Sequence, residues 1–399
     1  MVIIVKTVRT LFCGLTGLLC AFASVVWAND SPRSSSFRLY GYFSPAVVSF
    51  NDGVDRYTRL TDNSYSGGRF GFWLDVPSLR GQTRFNFESS LGIRPPAALS
   101  QFYVASLIDL NASTLRKFEL IHDTKKIGSF SFGMGSMGSD GVSESDLSGT
   151  QLAAYVGIAD TAGGYTFRTA SDLLSTVSIS SAFPTFDGGR APRIRWDSPD
   201  LALSQFGTFN VAVSFGVEVS DRNLVVNDAL ADVGVFYRNT LGTFDLKASG
   251  GFSIAEVNGI QAPQSAGSVS LRHTPSGWST TLAGGKRDDG GNYLYSKIGL
   301  KRRWSDWGDT AVPLDHYRGY GTVSDTSRSE SFGIGIVQNI DRSDLQFYVG
   351  LRHYGFDQPG SLSYRSSRSL IFGTRWVFRE LDTLRFRRGR SEMDWTDTE

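Results

Sequence analysis

The side chains that could do chemistry here are charged ones, and their spacing suits a fixed field better than catalysis. Asp140, Glu144 and Asp146 stand close together in a serine- and glycine-rich stretch, with Asp160 further on. Oxygen ligands at Asp140, Glu144 and Asp146 could hold Ca²⁺, although an acidic loop needs no metal to be soluble. The histidines, His122, His273, His316 and His353, show neither an HExxH pattern nor close ligand spacing. No GxSxG elbow occurs. Gly133-Met134-Gly135-Ser136-Met137-Gly138 spells GxGxxG, but no amphipathic helix follows it, which argues against a dinucleotide site. The chain reads as a non-enzyme, with no catalytic residue and no required cofactor.

The basic residues need elements to position them, and those elements alternate. Arg69, Gly71, Trp73 and Asp75 interleave with Phe70, Phe72, Leu74 and Val76, and Arg84, Asn86 and Glu88 with Thr83, Phe85 and Phe87. Lys117 points the other way from Phe118 and Leu120; Arg116 replaces it if that strand slips by one residue. Arg193 and Arg195 share a face opposite Ile194 and Trp196. Phe209–Val219 and the final run Ser369–Phe378 alternate in the same way. A soluble sandwich would also alternate. Charges in mid-strand decide between the two, because a face that carries them must line water while the aromatic face meets lipid.

Composition agrees with an all-β exported chain. The 399 residues include 28 Phe, 15 Tyr, 8 Trp and 44 Gly. Lys6 and Arg9 precede the uncharged apolar run Leu11–Val26, and Val26-Trp27-Ala28 suits a signal peptidase, so cleavage is expected after Ala28. Residues 29–36 then form a short N-terminal segment. Both cysteines, Cys13 and Cys20, lie in the leader, so the mature chain has no thiol. Its near-neutral charge lacks the basic footprint of a nucleic-acid binder. Short links at Pro77–Gly81, Asp123–Gly128, Asn239–Gly242 and Asp341–Asp344 are expected to alternate strictly with long ones such as Asn51–Gly68, Ile93–Thr114, Asp221–Leu230 and Gly355–Ser367. Assigning the run Thr176–Pro184 to the longest connection leaves sixteen strands, with eighteen the open alternative.

Tyr65-Ser66-Gly67-Gly68-Arg69-Phe70-Gly71-Phe72, Lys117–Met134, Arg193-Ile194-Arg195-Trp196-Asp197-Ser198-Pro199 and the final aromatic strand together resemble the Gram-negative outer-membrane general porins. The resemblance spans most of residues 37–378. It implies a homotrimer of sixteen-stranded transmembrane β-barrels, inserted by the barrel-assembly machinery into outer-membrane lipid and lipopolysaccharide, with Phe378 as the assembly signal. It implies a third loop, residues 136–191, folded into the lumen. There Asp140, Glu144, Asp146 and Asp160 would face the wall residues Arg69, Arg84, Lys117, Arg193 and Arg195. Opposed charges in a narrow channel orient water and dipolar solutes. The function implied is passive diffusion of ions and small hydrophilic solutes; a structural or adhesive barrel, or a barrel-borne hydrolase, is the alternative. Residues 379–399, with Arg385-Phe386-Arg387-Arg388 and an acidic end, read as a polar periplasmic tail.

Overall fold

The computed structural model describes residues 35–386 except 79–80, 125, 221–224, 258–259, 289 and 361. The expected signal peptide and most of the N-terminal segment lie outside the described residues, as does the tail from 387 onward. Nineteen strand segments form one sheet. The first two staves are each interrupted once and Leu201–Ala202 is a two-residue addition, so sixteen antiparallel staves result. They are β1 (Ser35–Phe43 with Pro45–Asn51), β2 (Arg56–Asp62 with Arg69–Ser78), β3 (Gly81–Ser90), β4 (Leu115–Thr124), β5 (Gly128–Ser136) and β6 (Arg190–Asp197). Then follow β7 (Thr208–Ser220), β8 (Val225–Leu241), β9 (Phe244–Val257), β10 (Ile260–His273) and β11 (Trp278–Arg287). The last are β12 (Asn292–Ser305), β13 (Gly308–Tyr320), β14 (Arg328–Ile340), β15 (Leu345–Asp357) and β16 (Ser367–Phe386).

Each stave pairs with its sequence neighbours, and β16 closes on β1, for example Ala46 opposite Gly373. A closed sheet leaves no unpaired edge, which is what a strand structure needs in lipid. Period-two alternation does the rest. Phe118, Phe215, Leu282, Leu294, Leu314 and Phe372 are exposed on the outside, while Ser131, Ser214, Ser331 and Ser369 are buried on the inside. Trp278, Trp304, Trp307 and Trp376 are exposed at the end where the tight turns lie, an aromatic girdle in form. Among the described residues no helix is long and apolar enough to cross a membrane.

Three expectations are corrected. Asn51–Gly68 is not one loop: Arg56–Asp62 pairs with Pro45–Asn51 and belongs to β2. Only 63–68 leaves the ladder, where the Asp62 carboxylate accepts from the Gly68 and Asn63 amides and the chain turns inward. Long and short links do not alternate strictly either. The links at 221–224, 258–259 and 288–291 are as short as turns, since β8, β9, β10 and β12 run 14 or more residues and absorb the chain. Finally, β16 does not stop at Phe378. Its backbone continues to Phe386, with Phe37 opposite Leu384 and Ser35 opposite Phe386.

The connection 137–189 lies against the inward face. Its start is pinned by Asp232 of β8, whose carboxylate accepts from the Gly138 and Ser139 amides. The Ser145 and Leu147 amides then donate to Ser268 and Ser270 of β10. Further along, Tyr317 of β13 donates to the Pro184 carbonyl and Thr161 meets Tyr354 of β15. A small hairpin, Thr166–Arg168 with Leu174–Ser178, sits within it. Tyr165, Phe167, Ile158, Ile179 and Phe183 of this connection pack with Phe50, Tyr295, Tyr317 and Tyr354 of the wall in one buried apolar cluster.

Candidate functional site

The predicted wall residues come from adjacent staves, and the structure sorts them into different jobs. Arg69 leaves β2 at its loop end, 3.4 Å from Glu88 of β3, with its guanidinium 4.8 Å from the Tyr42 ring centre. Arg84 is six register positions further toward the turn end, about 20 Å along the strand. It lies over Trp73 at 5.6 Å and 4.0 Å from Asp123, at a different level of the barrel from Arg69.

The question of Lys117 against Arg116 has a physical answer. A bulge interrupts the β3–β4 ladder between Glu88 and Ser89. Opposite it, Lys117 borders the cavity of the lumen while Arg116 swings to Glu88 at 2.6 Å. An irregularity of this kind lets two successive side chains share a face, which strict alternation forbids.

Arg193 and Arg195 both point inward, but Arg193 is a clamp. It is 4% exposed, pairs with Glu119 at 2.5 Å and donates to the Ser136 and Gly133 carbonyls. Gly135 makes room for that pair: a Cβ there would stand 2.5 Å from the Glu119 carboxylate and 2.8 Å from the Arg193 guanidinium. Arg195 forks onto Asp197 and donates to the Met137 carbonyl at 2.7 Å, which fixes the first residue of the long connection.

The four loop acids divide in the same way. Asp140 borders the same cavity as Arg195, and Arg190, Arg195 and Arg116 are the cations that act on it; burial still pushes its carboxyl up. Glu144 is exposed and hydrogen-bonds the Tyr155 phenol. Asp160 is pushed up to about 7, by burial first and then by Glu144. Asp146 stands apart. Burial raises its carboxyl, but Lys297 of β12, 2.7 Å away and 1% exposed, outweighs that and holds it below the usual range. It therefore ties the loop to the wall and does not face the arginines. This also separates the proposed calcium ligands, and among the described residues no three acidic, histidine or cysteine side chains are grouped to hold a metal.

Two residues escaped the sequence. Arg190 is exposed at the first position of β6, close enough for Arg116, Arg69, Asp140 and Glu88 to act on it. It directly follows Gly188-Gly189, where no alternation exists to assign a face. Asp187, before the same glycines, is pushed up to about 7 by burial and then by Glu144, and its Oδ2 finds no donor. Phe378, the expected assembly signal, packs edge-on against Trp376 at 4.9 Å within a strand that runs beyond it.

No protein-family model matches the chain, and no curated protein matches it. Solved structures do. The anion-selective porin from Comamonas acidovorans superposes with a TM-score of 0.54 at 15% identity, over 86% of this chain and 100% of that one. The outer membrane channel DcaP of Acinetobacter baumannii gives 0.53 at 9% identity, over 88% and 99%. OmpT, an outer membrane protein of Vibrio cholerae, in a trimer form gives 0.50 at 14% identity, over 87% and 100%. At such identities the likeness is one of fold. The chain has the closed sixteen-stranded antiparallel barrel fold of the Gram-negative outer-membrane porins.

Proposed function

We propose that the chain is an outer-membrane porin, exported with loss of residues 1–28, that passes ions and small hydrophilic solutes by diffusion as a homotrimer. One observation carries the reading. Inside an apolar-skinned barrel, Asp140 and Glu144 on the long connection oppose Arg190, Arg116, Arg69 and Lys117 on the wall. Fixed charges of opposite sign across a low-dielectric-walled gap make a transverse field, which favours polar over apolar solutes and penalises a plugged, dry interior. The connection narrows the lumen at this level. The fold neighbours support the reading, since one is a porin, one a channel and one a trimer.

The test is single-channel recording of the purified protein in a planar bilayer under a salt gradient. Ohmic openings in groups of three are expected. Replacing Arg190 with Ser and Lys117 with Gln together should move the reversal potential toward cation preference, because neither wall charge is held in an ion pair among the described residues, whereas Arg69 and Arg116 both pair with Glu88. A folded barrel that conducts nothing would overturn the diffusion role.

A further inference from the structure

Resting on the channel reading, we propose that the open side of the lumen is a binding station for ring-bearing organic anions. The cavity there has a volume of about 540 Å³, within the range of small-molecule sites. Its lining is unlike the rest of the inner wall. Tyr295, Tyr317 and Tyr354 are sealed beneath the long connection, at 1% exposure or less. Trp73 of β2 and Phe236 of β8 are only half-buried, and both border the cavity. Arg84 lies over the Trp73 ring at 5.6 Å, and Tyr40 stacks on it at 6.1 Å, so the indole is held in place.

Charge completes the site. Five cationic side chains and three carboxylates border the cavity, leaving positive charge in excess. That excess is not at Arg193, Arg195 or Arg238, which Glu119, Asp197 and Asp200 engage. It falls to Lys117 and to Arg84, whose nearest carboxylate stands 4.0 Å away. A small anion such as acetate satisfies only the charge, and a neutral ring only the aromatic contacts. A carboxylate on a flat ring satisfies both, with the carboxylate toward Lys117 and Arg84 and the ring toward Trp73 and Phe236.

The experiment is solute block of the wild-type channel in a chloride-conducting bilayer, comparing benzoate, acetate and benzyl alcohol. Benzoate should interrupt the current at concentrations about fivefold or more below those at which acetate or benzyl alcohol does. Trp73→Leu and Phe236→Leu should each shrink that ratio. Equal behaviour of benzoate and acetate in an open channel would overturn the station and leave the channel standing. A barrel that conducts cations but no chloride would overturn the station alone, and one that conducts no ion would overturn both.

Discussion

Lys117 and Arg193 both leave strands with inward basic positions, yet only one is a charge the lumen can use. Arg193 is spent on Glu119, and removing either would strand the other in a buried site, at a cost of about 3–5 kcal/mol. Lys117 borders open space. The acids differ likewise, and their titration gives a testable consequence. Asp160 and Asp187 hold protons up to about pH 7 because burial and Glu144 disfavour their charged forms. A carboxyl raised in the folded state contributes stability that is full below its ordinary range and lost as pH rises through about 7. Over the same interval the long connection gains negative charge. The reversal potential should therefore move toward cation preference between roughly pH 6 and 8, read in symmetric pH steps under a fixed salt gradient. A flat profile would place both carboxyls out of reach of the permeating ions.

At the scale of elements, the long connection is built into the wall. Asp232 anchors its first amides, β10 serines anchor the next, and the Asp146–Lys297 pair anchors the middle. Lys297 also donates to the Ala154 carbonyl. Asp146→Ala would leave an ammonium buried without its partner, costing about 3–5 kcal/mol, while Asp146→Ala with Lys297→Met removes both charges and should recover most of it. Thermal unfolding followed by heat-dependent gel mobility reads this. If the double variant is no better than the single one, the pair is not what pins the loop.

For the whole molecule, the consequence is an off-centre channel. The connection and its aromatic cluster fill the lumen beside β12, β13 and β15, while the side lined by β2, β4, β5 and β6 stays open. Ser129 borders the open cavity, and Ser331 of β14 is fully buried. The only cysteines, Cys13 and Cys20, precede the expected cleavage site, so engineered thiols can be read singly. Ser129→Cys should react with a charged methanethiosulfonate and drop the conductance, and Ser331→Cys should stay silent. Rapid labelling of both would mean that the connection does not cover β14.

The sequence by itself determined the closed, all-β barrel. A period of two places Phe70, Phe118, Phe215 and Phe372 on one face whatever their neighbours do. Counting such runs left sixteen staves, with eighteen open, once Thr176–Pro184 was given to the long connection, and closure of the sheet decided for sixteen. It also assigned Arg69, Arg84, Arg193 and Arg195 to the inner side. It misplaced the Asn51–Gly68 link and the end at Phe378, because polar residues inside a strand look like a loop until a partner is present to pair with them. Which inward charges stay free was decided only by tertiary structure. Arg193 meets Glu119 across β4 and β6, Asp146 meets Lys297 from 151 residues away, and a bulge turns Arg116 inward beside Lys117. Alternation is a local property of the backbone, whereas ion pairing depends on which strands and loops closure brings into contact.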